Sequence, residues 1–189
     1  MKEVTIKLYT FNELTEKVQK ELIEKNQYHE TEHDDWHSPI IEGFEEDLKN
    51  IGLEEITSAF TGFWSQGDGA CFIGDVYDNE GFINVLKETE YLGKTWGEKD
   101  DLEMLEITID KITHHYEHEN TITGNVSSDA VFTSNLDELE NAVTKWARDK
   151  SRELYKSLEK YYDELASDEN VIEYLEEQGE VFQENGKRL

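Results

Sequence analysis

Two residue types that shape folds are almost missing. Cysteine occurs once, as Cys71, so no intrachain disulfide can form and a reducing compartment is expected. Proline occurs once, as Pro39, and no low-complexity tract is present. Long apolar runs are missing too. No stretch approaches the ~20 apolar residues that span a bilayer. Met1-Lys2-Glu3-Val4-Thr5 opens an alternating segment rather than the apolar core of a secretion signal. Positive charge is scarce: 18 Lys and Arg stand against 45 Asp and Glu, a net charge of -27. Direct contact with DNA, RNA or anionic lipid is disfavoured, because phosphate recognition draws on Lys and Arg. Catalytic signatures are lacking as well. The glycines near position 68 have neither the Gly-Lys-Ser/Thr ending of a P-loop nor the spacing of a dinucleotide turn. No hydrolase, kinase, nuclease or deaminase motif occurs. A non-enzymatic protein without a cofactor is expected.

What is present points to a folded domain. Low hydrophobicity with high charge is a signature of disorder, but the apolar residues are patterned, and the eight Phe, nine Tyr and four Trp can seed a core. Residues 4–9 alternate as a strand. Thr10 with Glu13 reads as a capping box ahead of Leu14, Val18 and Leu22 at helical spacing. Ser38-Pro39 opens a second helix through Ile40, Ile41, Phe44 and Leu48, which Gly52 ends. Residues 54–64 and 71–77 read as a hairpin joined by Ser65-Gln66-Gly67-Asp68-Gly69-Ala70. A short helix over 81–91 follows, then a long strand over 102–116 and a partner over 119–127. Ser134 with Asp137 starts the longest helix, to about Leu165; its apolar stripe breaks between Trp146 and Leu154, which speaks against a continuous coiled coil. A last helix covers 169–178. The expected fold is one α+β domain over 1–189, with 179–189 an extended tail. Its central antiparallel sheet of four or five strands is covered by about five helices, one of them long. Homodimerisation is left open.

The phrase Phe60-Thr61-Gly62-Phe63-Trp64-Ser65-Gln66-Gly67-Asp68-Gly69-Ala70-Cys71-Phe72 resembles a signature of small acidic proteins encoded by bacteriophages. Residues 7–14, the segment His114-His115-Tyr116-Glu117-His118-Glu119, and the stretches 161–165 and 182–188 are similar to the same family. The resemblance carries over no catalytic residues. It implies a phage gene expressed in the cytoplasm of a bacterial host, where an inhibitor of host defence is a common role.

The acids are unevenly placed. Residues 24–55 hold 11 acids against Lys25 and Lys49, and residues 163–184 hold nine acids with no Lys or Arg. Lys145, Arg148, Lys150, Arg152, Lys156 and Lys160 gather on the long helix. A 22.1 kDa chain exposes about 9,000 Å², so the average is about one net charge per 350 Å² against about one per 100 Å² for duplex DNA. Imitation of a nucleic acid therefore requires the two acidic regions to share a face. On that reading Glu30, Glu32, Asp34, Asp35, Glu42, Glu45, Glu46, Asp47, Glu173, Glu176 and Glu177 would bind a basic nucleic-acid-binding partner such as a host nuclease or CRISPR effector. The alternative is an acidic surface that serves solubility alone.

Two other constellations are candidates. Trp64, Ser65, Gln66 and Asp68 could form a loop for a small ligand, a nucleotide signal or a partner; otherwise they make a tight hairpin. His29 and His33 lie four apart and could share a metal with a carboxylate if helical. The Ser38-Pro39 step biases the chain away from that helix, and surface histidines are the simpler reading. His114 and His118 are about 13 Å apart on an extended chain, too far for one ion. Cys71, between Ala70 and Phe72, is expected to be buried and inert.

Overall fold

The computed structural model describes residues 5–113, 115–177 and 179–188. By its contacts the chain divides into two compact units, residues 38–159 and residues 1–37 with 160–189.

The larger unit holds the sheet. Helix α2 (Ser38–Asn50) leads into strands β1 (Leu53–Phe60) and β2 (Ala70–Val76), then helix α3 (Asn79–Glu88), strands β3 (Leu105–Lys111) and β4 (Ile122–Ser128), and the long helix α4 (Leu136–Leu165). The strands pair antiparallel in the order β1-β2-β3-β4. With α1 (Glu16–Asn26) and α5 (Asp168–Glu177), the described residues form a four-stranded antiparallel sheet and five α-helices, an α+β fold.

Period-two alternation explains how the sheet is used. Leu105, Ile107 and Ile109 turn to a core shared with Phe72, Phe82, Ile83, Leu86, Leu139, Val143 and Trp146. Packing is close: a Cβ on Gly124 of β4 would lie 2.5 Å from Val143 Cγ1 and 3.1 Å from the backbone nitrogen of Thr144 on α4. Trp146 meets Phe82 and Phe72 edge-on, at 4.9 and 6.1 Å between ring centres. The α4 stripe does not break where the apolar spacing predicts. Ala147 and the small Ser151 fill the gap and are fully buried, while Lys150 and Glu153 turn outward and pair with each other at 2.7 Å.

The smaller unit holds helix α1 (Glu16–Asn26), helix α5 (Asp168–Glu177) and the end of α4. Phe11, Leu14, Leu22, Val171, Leu175 and Phe182 form its core. Of the strand expected over 4–9, the described residues 5–9 are absent from the sheet, and Val4 lies outside the described residues. Residues 5–8 join no ladder, and Tyr9 makes only an isolated bridge with Phe182, exchanging bonds of 2.9 and 2.8 Å. Glu13 does reach back to the Thr10 N–H and hydroxyl, at 2.8 and 3.0 Å, but the turn it closes is the short 3-10 turn Phe11–Glu13, and α1 starts three residues later.

The strand expected over 102–116 is shorter as well. Leu102–Met104 is a 3-10 turn, and β3 ends at Lys111 because the chain bends back. The Ile112 N–H meets the Thr121 carbonyl at 2.6 Å and closes that return. His114 lies outside the described residues. Among the described residues no helix is long and apolar enough to cross a membrane.

Candidate functional site

The acids chosen from the sequence divide between the units, since the boundary between them falls after His37. In the smaller unit, Glu32, Asp34 and Asp35 are exposed on the turns that follow α1. Glu30 is half-buried and accepts the Asn170 side-chain N–H at 3.0 Å, so this segment sits beside the start of α5. Glu173, Glu176 and Glu177 are exposed along one side of α5 at helical spacing, and Glu176 accepts the Asn12 amide at 2.9 Å. In the larger unit, Glu42 and Glu46 are exposed on α2. Glu45 is turned inward, and its carboxylate takes the Ser58 N–H of the edge strand β1 at 3.1 Å. That bond blunts an edge that would otherwise offer an unpaired donor. Asp47 lies on another side of α2, in a furrow of about 310 Å³ with Phe44, Glu153 and Leu154. Charge follows unit size: the smaller unit has 18 acids against eight Lys and Arg, the larger 27 against ten.

A further carboxylate arrangement is one that sequence reasoning did not single out. It lies on the uncovered face of the sheet. Glu54 on β1 is the register partner of Asp75 on β2, Asp75 of Thr108 on β3, and Thr108 of Asn125 on β4. Glu106 and Asp110 flank Thr108 on the same side of β3, because side chains two apart share a face. All four acids are exposed. Strands about 4.8 Å apart with a rise of about 3.3 Å per residue put these acids in roughly 200 Å², or about one per 50 Å². That is denser than the phosphates of a duplex.

Neutral neighbours hold two of them in place. Asp110 accepts the Thr108 hydroxyl and the Asn125 amide, both at 2.6 Å, and Glu106 accepts the Ser127 hydroxyl at 3.1 Å. Lys111 is the one cation in the four strands, and it is engaged by Glu117 at 2.6 Å. Glu54 and Asp75 stand directly opposite each other, a like-charge pair that works against sheet stability. The signal was legible in Leu105-Glu106-Ile107-Thr108-Ile109-Asp110, where apolar and polar residues alternate strictly.

The hairpin loop is longer than a tight turn and covers residues 61–69. It closes through Thr61 N–H to the Gly69 carbonyl at 2.9 Å and Gly69 N–H to the Thr61 hydroxyl at 3.1 Å. Asp68 braces the loop from within, since its carboxylate accepts the Ser65 N–H at 2.7 Å. Trp64 is 74% exposed, and Gln66 faces a cavity. The loop lies against the β3–β4 return. A Cβ on Gly69 would lie 3.0 Å from the Glu117 carbonyl and the His118 Cα.

Beneath the loop, the Cys71 thiol is buried and donates to Glu117 at 3.0 Å. Burial first, and then Glu117, push its pKa up to about 12, so it carries no thiolate at neutral pH.

The described histidines do not converge on one site. Residues 27–37 are turns, not helix, so His29 and His33 do not share a helical face. His29 packs on Tyr174 with ring centres 3.8 Å apart and donates Nδ1–H to the Asn26 carbonyl at 2.8 Å; His33 is exposed. Among the described residues no three His, Cys, Asp or Glu side chains are grouped to hold a metal ion.

The fold thus defines an α+β domain with one polar, acid-bearing sheet face. Residues 36–168, more than half of the chain, match the family described as Domain of unknown function (DUF8835), and the chain belongs to that family. No curated protein and no solved structure matches it.

Proposed function

We propose that this protein is a stoichiometric inhibitor that blocks a cationic, nucleic-acid-binding protein with the uncovered face of its sheet. The supporting observation is the group Glu54, Asp75, Glu106 and Asp110, four exposed carboxylates on one face with no cation paired to them among the described residues. Fixed carboxylates at phosphate-like density attract a basic groove from a distance and speed encounter, and salt weakens that attraction. The resemblance to phage-encoded proteins makes a host nuclease or CRISPR effector, in the cytoplasm of a bacterial host, the partner to test. The exposed acids Glu42 and Glu46 of α2, in the same unit as the sheet, add long-range field.

The test is capture of the partner from a bacterial host, followed by titration of the purified pair at low and high salt. Affinity should fall steeply with salt. Changing Glu54 and Glu106 to Gln and Asp75 and Asp110 to Asn together should weaken binding by about 100-fold, or about 2.7 kcal/mol. The same change at Glu42 and Glu46, exposed on α2 of the same unit, should leave it within about threefold. Salt-independent affinity, or indifference to the sheet-face variant, would remove the mechanism.

A further inference from the structure

Between the hairpin loop and the β3–β4 return lies a cavity of about 450 Å³ lined by Gln66, Gly67, Tyr116, His118, Asn120 and Thr121. That volume lies within the ~300–1,000 Å³ of small-molecule sites. Its walls are held by a network of their own. The Thr121 N–H and hydroxyl both donate to the His118 carbonyl, at 2.8 and 2.6 Å. Gly67 has φ +99°, which favours glycine, and the Tyr116 ring carbons lie 3.4 Å from where its Cβ would sit. The loop backbone and an aromatic ring thus form two sides of one recess.

The chemistry of the lining is specific. Tyr116 is 57% exposed and offers a ring on which a flat ligand can stack. The side-chain amides of Gln66 and Asn120 each supply a donor and an acceptor, and neither has a described partner. His118 Nδ1 lies 3.1 Å from the Asn120 nitrogen and 3.0 Å from a Glu119 carboxylate oxygen. Among the described residues no Lys or Arg lines the recess. Glu117 and Glu119 flank it in the chain, engaged by Lys111 at 2.6 Å and Arg152 at 3.4 Å, and Asp68 follows Gly67. Tyr155 senses this field: burial first, then Glu159, Asp68 and Glu119, push its phenol pKa up.

An aromatic platform with amide edges and no cation suits a planar heteroaromatic with hydrogen-bonding edges, and opposes a phosphate. We propose that this recess binds an uncharged nucleobase or nucleoside, not a nucleotide. It uses none of the sheet-face acids, so each proposal can fail without the other.

The test titrates adenosine, guanosine, cytidine and uridine, and their 5′-monophosphates, into the full chain by calorimetry, with melting temperature as a second readout. At least one nucleoside should bind and raise the melting temperature, and its monophosphate should bind about tenfold more weakly or worse. Tyr116→Ala should weaken the nucleoside by about tenfold. Gln66→Ala, at the loop surface, should weaken it as well and serves if the Tyr116 variant does not fold. The proposal is overturned if no nucleoside binds at millimolar concentration. Tighter binding of a monophosphate, or unchanged affinity in a folded variant, overturns it equally.

Discussion

Asp100 shows how a single side chain can stitch a loop. One carboxylate oxygen accepts the Thr133 N–H and hydroxyl at 2.7 and 2.9 Å, and the other accepts the Ser134 N–H at 3.1 Å. The Ser134 hydroxyl in turn takes the Gly97 N–H at 3.0 Å. The Ser134 hydroxyl and then the Thr133 N–H hold the Asp100 pKa down to about 2, from an ordinary 3.8. The folded state therefore binds this proton less readily than the unfolded chain. The stabilisation is complete above about pH 4 and is lost as the pH falls through about 2. Melting temperature against pH should fall more steeply for the natural chain than for Asp100→Asn between pH 4 and 2. Parallel curves would show that the loop does not depend on this carboxylate.

At the scale of elements, α2 carries a glycine that its own packing does not require. Gly43 lies in the helix interior, and a Cβ there would meet nothing within 4 Å. Glycine at such a position costs about 0.5–1 kcal/mol relative to alanine. Gly43→Ala should raise unfolding free energy by that amount, measured by urea denaturation with an unchanged slope. A loss would mean that the position requires the bare glycine backbone. The strands were legible for another reason. Their alternation reports which face is wet, and the polar positions of β3 already carry Glu106 and Asp110. The hidden part was register: pairing across β1, β2 and β3 is what places Glu54 and Asp75 beside them.

At the scale of the whole molecule, -27 is a self-repelling charge, borne by both units in proportion to their length. Among the described residues few ion pairs offset it, and those on α1 join side chains that are largely exposed, at 3.9 Å, a class of contact with little net effect. Added salt screens repulsion more than it weakens such pairs. The melting temperature should therefore rise between 20 mM and 500 mM sodium chloride, a range that takes the Debye length from roughly 20 Å to about 4 Å. A decrease would show that attractive pairs dominate the surface.

The α+β class, the four strands, the five helices and the single buried thiol follow from the order and period of residues, because those features are local. So does the excess of carboxylates. Which of them act together was settled by the fold. The unit boundary after His37 parts the first acidic region, Glu45 caps a strand edge, and Asp68 braces a turn. The recess joins Gln66 and Gly67 to residues some fifty positions later. Spatial proximity between distant segments depends on strand pairing and on close contacts such as that between Gly69 and His118, and local patterns of hydrophobicity do not encode it.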